Sequence, residues 1–317
     1  MTKSPRPSVD IQIMQEYAGH TGSVFAMQRD ASETYFYTSG DDGVVARWSL
    51  TPGNSDGTGM VKLGQAVYSL CVIPDQPLLV LGSSDGTVHF VDTESRKILH
   101  TYRKSPDAIF RLTYDPDTQT LWVLHGKGGL SVLDLKDFSS KAFVRLSEEH
   151  LRAQVLNPNG DQWLIGASDG FIYQIDREAG GITHKWKAHD NSVFSLAVHG
   201  SNKYLLSGSR DAHLKIWDLQ DGHQLIKSLP AHNFTINDIA ISPDGDHFVT
   251  ASRDKTWKVW DAYRFQLLKV VDLARNQGHK HSVNAIMWLN SDNSVISCSD
   301  DRRVIRWHVG IEESSSL

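Results

Sequence analysis

The chain has 317 residues, 40% apolar and 22% charged, with a formal net charge of −5 and a pI near 6.3. That balance suits a large packed core and argues against a broad nonspecific nucleic-acid surface, which needs a basic excess. No run of about 18 apolar residues is present, so no membrane span is expected. Residues 1–10, polar with Pro5 and Pro7, lack the apolar stretch of a signal peptide. Cys71 and Cys298 stand far apart and outside any zinc spacing. They read as reduced core thiols of a cytoplasmic protein, with no metal and no cofactor expected.

In chain order, residues 11–15 alternate polar and apolar and read as a lone strand. At Gly19-His20 a spacing begins that recurs four times: a Ser or Thr 18 positions after the His, an Asp 4 later, a Trp 6 later. The quartets are His20/Thr38/Asp42/Trp48, His189/Ser207/Asp211/Trp217, His232/Thr250/Asp254/Trp260 and His279/Ser297/Asp301/Trp307. The same register carried across the gap between the first two quartets fills it. The turn positions are then 42, 85, 127, 169, 211, 254 and 301, which makes seven units. Units 2, 3 and 4 have lost the His and the Trp and are expected to rely on packing alone, as the softer arc of a ring.

Each unit reads as four short strands separated by turn residues. In unit 5 the strands are residues 192–198, 204–208, 214–219 and 224–229. Four strands at a period of about 40–45 residues describe a propeller blade. Unit 7 runs out after its third strand near His308, and residues 11–15 are placed to supply the fourth. Longer connections are expected at residues 51–59 and, on the opposite face, at residues 272–277.

The Gly/Ala-His pairs, with Trp217-Asp218 and Trp260-Asp261 downstream, resemble WD40 repeats over residues 10–309. Trp48-Ser49 and Trp307-His308 depart from the Trp-Asp pair. The resemblance implies an all-β, seven-bladed WD40-type β-propeller, a single domain closed by its N-terminal strand, with residues 1–9 and 310–317 as flexible termini. The His, Ser and Asp of each quartet invite comparison with a hydrolase triad. Four copies around a ring, each able to satisfy every buried polar group in a chain of bonds, instead point to a structural role. In that chain the Asp holds the His, the His is held by the Ser or Thr hydroxyl, and the hydroxyl reaches the Trp indole. His279-Lys280-His281 invites a metal, but His279 is already used by its quartet and further ligands are wanting.

One position lies 17 residues before each turn, early in the first strand and beside the central channel. It holds Phe25, Tyr68, Phe110, Arg152, Phe194, Asn237 and Asn284. Four of the seven are aromatic against 9% of the chain, and in WD40 proteins the resemblance implies peptide contacts here. The residue just before each turn adds Asp41, Arg210, Arg253 and Asp300, an Arg side over blades 4–6 and an acidic side over blades 7 and 1. Aromatic and Arg residues are the types enriched at binding hot spots. The expected function is a non-catalytic protein–protein interaction scaffold. It would bind a peptide or protein on this funnel face, as a monomeric propeller serving as adaptor or subunit in a complex. The alternatives are a propeller enzyme, or an anion- or nucleic-acid-binding module on the Arg152/Arg210/Arg253 side. Net charge makes nucleic acid unlikely.

Overall fold

A computed structural model describes residues 7–312. It contains seven four-stranded antiparallel sheets, each built from strands consecutive in sequence except the last. The innermost strands of blades 1 to 7 are Val24–Arg29, Val67–Ile73, Ile109–Asp115, Leu151–Leu156, Val193–Val198, Ile236–Ile241 and Val283–Trp288. Blade 5 has strands Val193–Val198, Tyr204–Ser209, His213–Asp218 and Leu225–Pro230, within one residue of the boundaries read from the turns. The propeller assignment is therefore correct. Blade 7 takes its outer strand from the start of the chain, with Ser8–Tyr17 antiparallel to Val304–Glu312.

That pairing runs further than the sequence suggested. Ser8 faces Glu312 and Val9 faces Ile311. Residues 8–9 and 310–312 are thus strand, not tail, because each has a partner on the opposing backbone. The remainder of the proposed tails, residues 1–6 and 313–317, lies outside the described residues. The connection expected at 51–59 is shorter too, since Gly57–Lys62 is already the outer strand of blade 1. Gly57 lies flat against the Trp48 indole, where a Cβ would come within 2.5 Å of the ring. Residues 272–277 fold into a one-turn helix, Leu273–Asn276, whose first turn is capped by Asp272 Oδ1 accepting from the Arg275 N–H at 2.8 Å.

Apolar side chains are buried between consecutive blades, one cluster to a seam. At the seam joining blade 7 to blade 1, Leu289, Ile296, Cys298 and Val304 pack with Tyr17, Val24, Phe36 and Trp48. Cys71 and Cys298 are both buried and unpaired, and burial pushes the Cys71 thiol up to about 12.

Each quartet is a continuous chain of bonds. In blade 5, Trp217 Nε1–H donates to Ser207 Oγ (2.8 Å). The Ser207 hydroxyl meets His189 Nε2 at 2.7 Å, and His189 Nδ1 meets Asp211 Oδ2 at 2.9 Å. Asp211 also accepts the backbone N–H groups of Asp190 (3.2 Å) and His213 (2.9 Å), which ties the His loop to the turn. In blade 1 the Trp48 indole donates to Thr38 Oγ1 (2.7 Å). Thr38 meets His20 Nε2 (2.7 Å), and His20 Nδ1 meets Asp42 (3.0 Å). Blade 6 runs from Trp260 to Thr250 Oγ1 (2.9 Å), on to His232 Nε2 (2.8 Å), and from His232 Nδ1 to Asp254 (2.9 Å). Blade 7 runs from Trp307 to Ser297 Oγ (2.8 Å), on to His279 Nε2 (2.8 Å), and from His279 Nδ1 to Asp301 (3.1 Å).

Burial opposes charge on Asp42, Asp211, Asp254 and Asp301. The bonds from imidazole and backbone N–H groups outweigh it and hold all four below the usual carboxylate range. Burial likewise pulls His189 and His232 down, so a neutral ring donates through Nδ1 and accepts through Nε2. An accepting Nε2 requires the hydroxyl to donate. Ser207 and Thr250 therefore give their protons to the imidazole and accept one from the indole, which uses each single O–H fully; Thr38 and Ser297 stand between ring and indole at matching distances.

Blades 2–4 do not rely on packing alone. In blade 2, Asp85 accepts from the Ser83 hydroxyl (2.6 Å) and the Thr87 N–H (3.1 Å). In blade 4, Asp169 accepts from the hydroxyls of Ser147 (2.7 Å) and Tyr173 (2.6 Å) and from the Phe171 N–H (2.9 Å). Blade 3 has no turn carboxylate. Lys127 sits there in the left-handed region (φ 51°), its N–H donating to His150 Nδ1 at 3.2 Å. On the opposite face Arg177 of blade 4 grips Asp115 of blade 3, a buried ion pair across the seam. Short hydroxyl and guanidinium bonds thus replace the long His–Trp chain.

Asp211→Ala is expected to cost about 2–3 kcal/mol, the value of charge-assisted bonds, and to lower the melting temperature by several degrees; an unchanged curve would refute the bonding chain. Tyr173→Phe should cost about 1 kcal/mol if Asp169 uses the substitute network, measurable by urea titration. Burial also depresses His89, His125 (to about 4), His150 and His223. Below about pH 6.5 the unfolded chain takes up protons that these four, with His189 and His232, refuse when folded. Stability is therefore expected to be full near pH 7.5 and to fall toward pH 5, with a second loss below about pH 3.8 as the turn carboxylates protonate. The check is melting temperature against pH. His125 contributes about 2 kcal/mol of the loss at pH 5, so His125→Gln should flatten that limb.

Candidate functional site

The position 17 residues before each turn is a β-bulge in all seven blades. The register of the innermost strand slips between Val24 and Ala26, Val67 and Ser69, Ile109 and Arg111, Leu151 and Ala153, Val193 and Ser195, Ile236 and Asp238, and Val283 and Ala285. The extra residue of each bulge is Phe25, Tyr68, Phe110, Arg152, Phe194, Asn237 or Asn284. A bulge leaves one residue unpaired and re-aims its side chain. These seven converge on a central cavity of about 800 Å³.

Five of them form a continuous arc. Phe25 lies 5.3 Å from Tyr68, and Tyr68 stacks on Phe110 at 5.7 Å with 12° between planes. The Arg152 guanidinium is held between the faces of Phe110 (4.0 Å) and Phe194 (4.8 Å), with Nε donating to Ser168 Oγ at 3.2 Å. Burial first, and the charge of Arg210 nearby, pull Arg152 down to about 10. The wall is thus aromatic on both sides of one cation, and all five side chains stay partly exposed to the cavity.

Asn237 and Asn284 do other work. Asn237 Nδ2 donates to Val283 O (2.8 Å) and Ser282 Oγ (3.0 Å) of blade 7. Asn284 Nδ2 donates to Val24 O of blade 1 (2.9 Å) and to Asp300 Oδ1 (2.8 Å). They stitch blades 6, 7 and 1 together, and Asp300 is committed to Asn284. Asp41, Arg210 and Arg253 are exposed. The acidic side over blades 7 and 1 is thinner than the sequence suggested. Asp300 is bonded inward, and its turn continues into Arg302 and Arg303, the latter paired with Glu16.

The quartets stand apart from this cavity. None of their sixteen side chains lines it. Thr38, Ser207, Thr250 and Ser297 are each 0% exposed and doubly bonded within their blades, so no substrate reaches these hydroxyls. They support the site from below and are not part of it. Phe234 (60% exposed) and Leu273 (46%), exposed apolar residues beside the His loops of blades 6 and 7, occupy neither the bulge nor the turn position and were not legible in the sequence. The residues one step beyond each bulge lie within reach of the same count from the turns.

Among the described residues no group of three or more His, Cys, Asp or Glu side chains is placed to hold a metal ion, and no helix is long and apolar enough to cross a membrane.

The chain is 24% identical over 254 residues to a striatin homolog of Dictyostelium discoideum, covering 68% of this chain and 30% of that protein. It is 24% identical over 245 residues to human striatin-4, covering 70% and 32%. The chain therefore corresponds to about a third of the length of these relatives. It is 26% identical over 214 residues to eukaryotic translation initiation factor 3 subunit I of Aspergillus terreus, covering 63% of each. The WD40 β-propeller domain of Doa1, known from a crystal structure, superposes with a TM-score of 0.82 at 18% identity, covering 94% of this chain and 97% of that one. The WD domain, G-beta repeat family matches residues 11–49, 60–92, 180–218, 223–261 and 271–308, more than half the chain, and the unmatched stretch between residues 92 and 180 contains blade 3 and the first three strands of blade 4. The chain belongs to the WD domain, G-beta repeat family.

Proposed function

We propose that the chain is a non-catalytic protein–protein interaction scaffold that binds a peptide or protein segment at the funnel mouth, as a monomeric propeller acting as adaptor or subunit in a multiprotein complex. The observation that carries the reading is the arc Phe25–Tyr68–Phe110–Arg152–Phe194. Five bulges turn large flat side chains toward one cavity, and ring faces with a desolvated guanidinium are the groups that dominate binding energy at interfaces. Asp41, Arg210 and Arg253 on the rim add charge at the edge, where it governs encounter rate and partner choice more than affinity. Similarity to striatins and to a translation initiation factor subunit supports work within assemblies. The buried, unpaired thiols of Cys71 and Cys298 support a cytoplasmic setting. Arg152, clamped between two rings and bonded to Ser168, is poorly disposed to lead an anion or nucleic-acid site.

Phe25→Ala combined with Phe194→Ala removes both ends of the arc from partly exposed positions. Each truncation is expected to cost about 2 kcal/mol of binding, enough to abolish partner recovery from native extract while the melting temperature stays within a few degrees. Lys203→Glu, on the opposite face, should leave recovery unchanged. Undiminished recovery with the double variant would refute the funnel as the binding face.

A further inference from the structure

The position after each bulge is Ala26, Ser69, Arg111, Ala153, Ser195, Asp238 and Ala285 in blades 1 to 7. Five are small. Ser69 Oγ donates to Ile109 O (3.2 Å) and Ser195 Oγ to Ile236 O (3.3 Å), so this position faces the seam with the following blade. Arg111 therefore faces the seam between blades 3 and 4. It is exposed to the channel, and among the described residues it has no hydrogen bond and no ion pair. Asp238 is fixed by the backbone N–H groups of Ile239 (3.0 Å) and Ile286 (3.0 Å).

One position deeper the residues are Met27, Leu70, Leu112, Gln154, Leu196, Ile239 and Ile286. The six apolar ones pack into the seam with the preceding blade. Gln154 thus faces the same blade 3–4 seam from the other side. It is 4% exposed, and neither Nε2 nor Oε1 has a partner. Deeper in the seam Trp122 and Trp163, rings 5.5 Å apart, also have unpartnered Nε1 groups. Buried polar groups in native proteins are bonded to something. A free cation and an unsatisfied amide at one seam mouth describe a site.

We propose that the central channel binds a carboxylate at the mouth of the blade 3–4 seam, its oxygens taken by the Arg111 guanidinium and the Gln154 side-chain amide. A planar guanidinium fork matches a carboxylate edge-on, and Gln154 Nε2 adds a further donor. The donor set suits a monoanion. A phosphate dianion would find too few donors. The carboxylate comes from a free small acid or from an acidic side chain of a bound segment; only the second source rests on the proposed function.

The test uses the full chain labelled with ¹⁵N-glutamine. The Gln154 side-chain amide signal is assigned by its loss in Gln154→Leu, the residue type the repeat uses at this depth. At constant ionic strength, sodium propionate is expected to shift that signal saturably, sodium phosphate to do so more weakly, and sodium chloride not at all. Arg111→Ala should weaken propionate about tenfold or more, and Lys203→Glu on the opposite face should bind it unchanged. A short acidic peptide that binds more tightly than propionate, and loses the gain when its Glu is replaced by Gln, identifies a partner's side chain as the source; parity with propionate identifies a free acid. Equal responses to propionate and chloride, or retention of affinity within about twofold in Arg111→Ala, would overturn the proposal. So would a Gln154→Leu protein of higher melting temperature with no propionate response in the wild type, which would mean that the seam holds only water. Because propionate binding is read without any partner, its failure is separate from failure of the funnel reading.

Discussion

A carboxylate at the turn between the second and third strands holds the funnel end of six blades. In the four complete blades it collects an imidazole N–H and backbone N–H groups from two loops that are about 20 residues apart in sequence, as with Asp190 and His213 on Asp211. Such loops would otherwise carry unpaired backbone groups and move independently. With them tied down, the bulge that follows each His loop has a fixed origin, and the side chains on the bulges meet at defined distances. The binding wall is rigid because the turns beneath it are.

The fold was legible because its constraint repeats. Four copies of one spacing revealed the register, and the register located blades whose His and Trp are gone. The bonds through Thr38, Ser207, Thr250 and Ser297 were legible with it, since a hydroxyl that must serve both a ring nitrogen and an indole has one place to stand in each blade. The convergence of Phe25, Tyr68, Phe110, Arg152 and Phe194 was legible for a related reason: equivalent positions in a ring face one axis. What each residue does there was not legible. Asn237 and Asn284 occupy the same bulge as Phe110 but have short amides that reach a neighbouring backbone carbonyl, a contact set by blade-to-blade distance. Asp300 sits in sequence as a rim charge and in space as the partner of Asn284. The substitute bonds of blades 2–4 were not legible because residue type, not position, changes: Ser83 beside the turn serves blade 2, while Ser147 at the His position and Tyr173 on the third strand serve blade 4.

Divergence and polarity coincide in blades 3 and 4. This is where the family pattern lapses, where Lys127 replaces the turn carboxylate, and where Gln154 interrupts a ring of apolar residues. The arc is held by other means, including the Asp115–Arg177 pair on the far face. A repeat protein can give one sector over to a site because the remaining blades carry the closure.

The pairing of Ser8–Tyr17 with Val304–Glu312 joins the two ends of a loop of about 300 residues. Closing a flexible loop of that length costs about 5 kcal/mol of chain entropy, so the contact is worth making only after the intervening blades have packed. During synthesis Ser8–Tyr17 emerges well before its partner. The nascent chain therefore carries an unpaired strand until Val304–Glu312 follows. A ribosome-bound or truncated chain presents that edge to any neighbour able to supply a strand, and its solubility depends on how quickly the last blade arrives.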